Sequence, residues 1–257
     1  MVASKRLLSP QNDRPGRHGD MNLSDAVRTK LGAVSTATLT TVLMKRGLRN
    51  VFIRGIHKIN PQAPRLVGPA FTLRYIPARE DIDHLGVFGD LNHPQRRAIE
   101  ECPQGAVLVI DSRKDHSAAS AGGILITRLF KRGAAGVVTD GGFRDTPDIA
   151  SLPFAAYHAA PSAPTNLVRH HALDINQPIG CGDVPVYPGD LMVGDNEGVV
   201  VIPAAMAEEV ANEAFEQTVF EDFVEERVRA GQGIFGLYPP NEGTAAAFAV
   251  WRKEKGR

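Results

Sequence analysis

The stretch AVLVIDSRKDHSAASAGGILITRLFKRGAAGVVTDGGFRD, residues 106–145, decides the fold. AVLVID (106–111) is a short apolar run ending in an acid, which reads as a buried strand. GGILITRLFKR (122–132) forms a helix opened by two glycines and broken by Gly133. GVVTD (136–140) is a second buried strand, and GGFRD (141–145) is a loop. The order is strand, loop, helix, strand, with polar residues gathered where the strands end. In open α/β sheets, that carboxyl edge is where ligands are held.

The flanks extend the same pattern. Upstream, Ser24 precedes an acid, Asp25, as an N-cap does, and Ser35 caps the helix TATLTTVLMKRG that stops at Gly47. VFIRGI (51–56) and LVGPAFTLRYI (66–76) are β-branched and aromatic strands bounded by Pro61, Pro64 and Pro77. HPQRRAIEE (93–101) reads as a short helix before the turn Pro103-Gln104-Gly105. Downstream, residues 177–203 read as short strands, with turns at Pro188-Gly189-Asp190 and Asp195-Asn196-Glu197-Gly198. A long helix from about Ala204 to Arg229 stops at Gly231. Together these predict one α/β domain with a layered or barrel-like sheet, wrapped by N- and C-terminal helices. Residues 1–20 carry charge and proline with little to bury and read as a flexible tail, with Met21 as an alternative start. The folded domain is expected over 21–240 and a C-terminal extension over 241–257.

Composition narrows the partner. Lys+Arg and Asp+Glu are 29 each, so the basic surplus of a general nucleic-acid binder is missing and a small molecule is favoured. The two cysteines, Cys102 and Cys181, are too few for a disulfide scaffold and lack zinc-site spacing. No apolar run approaches the ~18 residues of a membrane helix, and the N-terminus has no secretory apolar core. A soluble, cytoplasmic protein is expected.

Three polar clusters compete as sites. In Asp140-Gly141-Gly142-Phe143-Arg144-Asp145 a strand ends, two glycines allow a tight turn, and a cation and a carboxylate stand side by side. Such a pair serves as a local ion pair or helix cap in many chains. Functionally, Arg144 holds an anionic oxygen with its planar fork and Asp145 ligates a hard divalent cation. Gly122-Gly123-Ile124-Leu125 exposes backbone N–H groups at a helix start, where a carboxylate can sit, although glycine pairs also serve close packing. Asp195-Asn196-Glu197-Gly198 has the composition of an ordinary hairpin turn. The eight histidines show no metal-binding spacing. GQGIFG (231–236) follows a helix rather than a strand, so it is a chance match to a dinucleotide motif.

GGILITRLFKRGAAGVVTDGGFRD, taken with VYPGDLMVGDNEGVVVIP further on, resembles the regulator of ribonuclease activity A (RraA-like) family. That family also contains the class II 4-hydroxy-4-methyl-2-oxoglutarate and 4-carboxy-4-hydroxy-2-oxoadipate aldolases. The likeness covers roughly residues 24–235. It implies a layered β/β/α swivelling-type fold with a mixed sheet, assembled as a homotrimer or homohexamer with active sites at subunit interfaces. It places the substrate-binding loop on Gly122, Gly123, Ile124 and Leu125, the substrate-binding arginine on Arg144 and the metal-ligating aspartate on Asp145. The non-catalytic regulators do not keep the full Arg-Asp pair, which this chain has. Two features depart from the pattern: Gly123 stands where the enzymes often carry an acidic or polar residue, and the ends are longer, including FGLYPP at 235–240. An acid from the neighbouring subunit falls on the long C-terminal helix, first at Glu221 and next at Glu225.

The residues and the resemblance together predict a Mg²⁺- or Mn²⁺-dependent lyase that cleaves 4-hydroxy-2-oxo acids to pyruvate and a carbonyl product. The metal and Arg144 stabilise the developing pyruvate enolate, and a held water takes the C4 hydroxyl proton. Oxaloacetate decarboxylation passes through the same enolate and is the expected side activity. Two alternatives stand beside this: a lyase or dehydratase for sugar-acid-derived 2-oxo acids, and a non-catalytic ribonuclease-binding regulator.

Overall fold

The computed structural model describes residues 23–257, so the expected tail at 1–20 and the start at Met21 lie outside the described residues. Helix α1 (Asp25–Ala33) begins where Ser24 Oγ accepts the Val27 N–H at 3.3 Å. Helix α2 (Thr36–Lys45) begins where Ser35 Oγ accepts the Thr38 N–H at 3.0 Å. Both serines therefore satisfy first-turn donors that the helices leave orphaned. The strand expected over 51–56 is shorter than read. Gly55 turns with φ +74°, leaving only β1 (Phe52–Ile53) before it and β2 (His57–Lys58) after it.

Next come β3 (Leu66–Pro77), α3 (Pro94–Glu101) and β4 (Val107–Asp111). The β–α–β unit continues through β5 (Ala119–Ala121), α4 (Gly123–Lys131), β6 (Gly136–Thr139), β7 (Gly142–Phe143), α5 (Thr146–Ala150) and β8 (Ala155–His158). A short β9 (Ala160–Pro161) and β10 (His170–Ile175) lead into the hairpin β11 (Ile179–Cys181) and β12 (Val184–Val186). Strands β13 (Leu191–Gly194) and β14 (Val199–Ile202) turn at Asp195–Gly198, as the composition of that turn implies. The long helix is α6 (Ala207–Arg229). Residues 204–206 form a separate 3₁₀ turn behind Pro203, and α7 (Glu242–Lys255) follows towards the C-terminus. GQGIFG lies between these two helices, away from any strand end.

The main sheet runs β1-β14-β13-β3-β4-β6-β8-β2, with β10 also paired to β3. Its centre, β3-β4-β6-β8, is parallel, and the flanking pairs are antiparallel. The two edge strands are close neighbours in sequence. The four steps from Ile53 to His57 reach at most ~14 Å, whereas a flat eight-strand path spans ~34 Å. The sheet therefore curls until its edges approach.

Alternation along β4 separates two cores. Leu108 and Ile110 face the side covered by α3 and α4, with Phe71, Ile99, Ile126 and Leu129. Val107 and Val109 face the β11–β12 side, with Ile179, Val184, Val186 and Met192. Helix, sheet and hairpin stack as the expected β/β/α layers. A third core packs α1, α2 and α6 on Val67, Val193, Val200 and Ile202, and a fourth joins α6 to α7 through Phe223 and Trp251. Among the described residues no helix is long and apolar enough to cross a membrane.

Candidate active site

The parallel pairing of β4 with β6 brings their carboxyl ends together. Asp140, 2% exposed, follows β6 and accepts N–H bonds from Ser112 at 2.7 Å, Lys114 at 3.1 Å and Gly182 at 3.0 Å. Burial raises its carboxyl above the ordinary range, while these donors pull it back. Asp140 thus staples three loops and is committed to structure. Beside it, Ser120 Oγ sits 2.7 Å from Ser112 Oγ and 2.8 Å from Thr139 Oγ1, which fixes β5 against the end of β6.

From there the two candidate loops close on each other. The Arg144 N–H donates to the Ala121 carbonyl at 3.1 Å. Asp145 adopts φ +57°, ψ +38°, a left-handed conformation that aspartate tolerates better than most residues. In this conformation its carboxylate lies back over the start of α4, where Oδ2 accepts the Gly123 N–H at 3.1 Å. Arg144 Nε approaches the same oxygen at 3.4 Å. The first intrahelical bond of α4 runs from the Ile126 N–H to the Gly122 carbonyl. The N–H groups of Ile124 and Leu125 precede it and have no partner inside the helix. The expected local ion pair is therefore present, yet it leaves the rest of the guanidinium and Oδ1 of Asp145 unengaged.

The glycines are needed for this closeness. A Cβ on Gly122 would lie 2.8 Å from Arg144 Cγ and 2.9 Å from Asp145 Oδ2, and one on Gly123 would lie 3.1 Å from Asp145 Cβ. Gly122→Ala is thus expected to fold with little loss of stability, because Arg144 and Asp145 are half-exposed and can swing aside. Misplacing both groups is expected to cost about 10²-fold in kcat/KM, since shifts near 1 Å have that effect. Steady-state kinetics and a melting curve of the variant check this; full activity shows that the approach is not needed.

The loops line a cavity of about 250 Å³. Gly122, Ile124, Leu125, Arg144 and Asp145 form one part of its wall, and Phe88, Gln95, Arg96, Thr165 and Asn166 form much of the rest. Its charged side chains are two arginines and one aspartate. The Arg96 guanidinium stacks 4.5 Å above the Phe88 ring, and two arginines against one aspartate give the cavity a net positive lining. The volume is below the ~300–1,000 Å³ of drug-sized sites, which suits a small acid. A second depression, near Lys58, Arg65 and Asp195, has its groups committed: Lys58 donates to the Ala63 carbonyl at 2.7 Å and Asp195 caps α2 at Thr36.

The structure thus brings together residues 122–125, 144 and 145, as expected. It places Glu221 elsewhere. On α6, Glu221 accepts from Thr38 Oγ1 at 2.8 Å and from Tyr238 at 3.2 Å, and it does not line this cavity. Glu225 pairs with Arg229. Among the described residues no histidine lines the cavity either; His158 stacks on Phe143, and burial with His57 nearby pushes it down to about 4. Phe88, Gln95, Arg96 and Asn166 carried no sequence signal, because amides on a helix and in a turn look like solvated residues until packing buries them.

A curled mixed sheet whose strand ends set an arginine and an aspartate against a glycine-opened helix end defines a layered α/β protein. Residues 21–201 match the RraA-like family, described as Aldolase/RraA, and the chain belongs to that family. A Halalkalibacterium halodurans protein, provisionally named a 4-hydroxy-4-methyl-2-oxoglutarate aldolase, is 36% identical over 154 residues, covering 58% of this chain and 65% of its own length. A 4-hydroxy-4-methyl-2-oxoglutarate aldolase of Thermus thermophilus is 30% identical over 119 residues, 46% of this chain and 71% of that protein. Among solved structures, Streptomyces coelicolor RraAS2, an unusual member of the RNase ES inhibitor RraA family, superposes with TM-score 0.68 at 27% identity. That match covers 79% of this chain and 97% of RraAS2. A Pseudomonas syringae protein shares the fold with TM-score 0.72 at 24% identity, over 84% of this chain and 98% of that one.

Proposed function

We propose that the protein is a divalent-metal-dependent pyruvate aldolase acting on 4-hydroxy-2-oxo acids. The observation that carries this reading is the convergence of Arg144, Asp145 and the unpaired N–H groups opening α4 on one small cavity. The names of the aldolase relatives support it.

The residues present fit a Mg²⁺ or Mn²⁺ ion. Among the described residues no three His, Cys, Asp or Glu side chains gather into a cage. Mg²⁺ does not need one, since it keeps several waters and takes one or two carboxylates plus substrate oxygens. Asp145 supplies such a carboxylate, with Oδ1 available. When bound, the ion supplies Lewis-acid stabilisation of negative charge on the substrate's oxygens. The N–H groups of Ile124 and Leu125 and the α4 dipole hold the substrate carboxylate. Arg144 then donates to the C2 oxygen, where charge gathers as the C3–C4 bond breaks. The same donor serves oxaloacetate decarboxylation, which yields the same enolate.

The same reading has the protein assemble as a homotrimer or homohexamer. In such an assembly Glu221 belongs to the site of a neighbouring copy. The reading is tested by pyruvate release from a panel of 4-hydroxy-2-oxo acids, with and without EDTA. Release that EDTA stops and Mg²⁺ or Mn²⁺ restores is expected; no release, or release indifferent to EDTA, rejects it.

A further inference from the structure

One part of the cavity wall hangs on a strap. Phe88 lies in residues 78–92, the stretch that joins β3 to α3, and its ring is what that stretch contributes to the wall. The Ala78 N–H donates to the Arg169 carbonyl at 3.0 Å. Past that point, among the described residues, the backbone bonds of the stretch stay within it. Ile82 and Asp83 donate to the Arg79 carbonyl, Val87 to His84 and Asp90 to Val87. Among the described residues at 76–92 only Asp83 is buried, while Leu85 and Leu91 stand in the open. The Asp83 carboxylate, 3% exposed, accepts from His171 Nδ1 on β10 at 2.8 Å and from the Arg79 N–H at 2.8 Å. Phe88 itself rests on the Arg96 guanidinium and meets His93 edge-on at 5.7 Å. A strap with so little apolar burial belongs to the low-stability end of a fold.

We infer that residues 78–92 are a lid over the cavity, pinned shut by the Asp83–His171 pair and closing through Phe88. The inference rests on the aldolase reading only for what the cavity holds. The chemistry of the pin sets how readily the lid lifts. An apolar anchor loses its full transfer free energy each time it leaves its socket. A carboxylate and an imidazole lose a charge-assisted bond but regain hydration, and the second change offsets much of the first. Closed and open positions therefore lie near each other in free energy, as a lid that admits substrate and then excludes water requires. The Ala78 bond to Arg169 and Pro94 at the start of α3 hold the two ends, so the segment between them moves while β3 and α3 stay. Lifting it carries Phe88 off Arg96 and opens the wall facing Arg144 and Asp145. Neither Asp83 nor His171 lines the cavity, so both are positioning residues that act through Phe88.

Amide hydrogen exchange of the full chain, resolved by peptide, tests this. In wild type the amides of 79–92 are expected to exchange well ahead of those in β3 and α3. His171→Ala is expected to speed that exchange by about 10–100-fold, the range for a lost bond to a charged group, with the melting temperature and the rest of the chain unchanged. Asp83→Ala should match it, and the double variant should add nothing, because the two residues form one pin. Oxalate with Mn²⁺, a flat dianion shaped like the pyruvate enolate, should slow exchange in 79–92 alone. In turnover, a loosened lid weakens ground and transition states alike, so KM rises and kcat does not fall. Strap amides as protected as those of α3 in the free protein overturn the lid. So does a His171→Ala variant whose strap exchanges as in wild type or whose β3 and α3 loosen equally, and so does a fall in kcat at constant KM. Oxalate that binds without slowing the strap overturns it as well. No pyruvate from any 4-hydroxy-2-oxo acid, with the strap still freed by His171→Ala, sinks the aldolase reading and keeps the lid.

Discussion

Asp145→Ala is expected to lower kcat/KM for metal-dependent pyruvate release by roughly 10³-fold or more, the kinetic equivalent of the several kcal/mol that a Lewis acid contributes. Among the described residues no other carboxylate lines the cavity, so nothing stands ready to replace it. The variant also loses the acceptor for the Gly123 N–H and places alanine in a left-handed conformation, which costs about 1–2 kcal/mol. Asp145→Asn removes that ambiguity, because asparagine tolerates the same backbone and keeps an oxygen for Gly123. It should fold like wild type and still lose activity. Kinetics across a Mn²⁺ titration distinguish the cases: a loss recovered at high metal reports weakened affinity, and full activity in either variant removes Asp145 from the mechanism.

The second large effect is expected at Arg144. Its side chain is 45% exposed and, among the described residues, its guanidinium bonds only to Asp145, so truncation should change stability by no more than about 0.5 kcal/mol. Its contribution is to catalysis. A donor used mainly in the transition state costs about 10²–10³-fold in kcat when removed, and Arg144→Ala is expected to fall in that range. Lysine keeps the charge but not the planar fork, so Arg144→Lys should recover only part of the loss. A donor used equally in ground and transition states instead raises KM and leaves kcat alone. Normal turnover of Arg144→Ala at saturating substrate therefore reduces the arginine to an anchor.

The parts of the fold that announced themselves in the sequence were those with local causes. Apolar runs such as Val107–Ile110 and glycine stops such as Gly133 act within a few residues, and the observed α4 begins one residue after the first of its two glycines because Gly122 is the N-cap. Ser24 and Ser35 cap helices for the same local reason. The VFIRGI segment misled because strand propensity ignores partners. Gly55 turns the chain between the two edges of a curled sheet, and only tertiary structure shows those edges. At the site, the pairing of Gly122-Gly123 with Arg144-Asp145 was legible because both flank one helix–strand unit. Gln95 and Asn166 were not. Their burial arises when α3 and the turn after Thr165 meet β5, far apart in sequence.

That same separation bears on how such a protein can change over evolutionary time. The groups assigned to the pyruvyl end sit on the loops flanking α4, whose mutual distances are fixed by β5, β6 and β7. The buried amides are carried by α3 and by a short turn after Thr165, neither of which bonds to Arg144 or Asp145. Position 166 can therefore vary without breaking a bond to that end, whereas Gln95 is tied to it through the Ser120 carbonyl of β5, next to the Ala121 carbonyl that holds the Arg144 N–H. A lineage can keep the loops around α4 and vary the opposite wall of the cavity one side chain at a time.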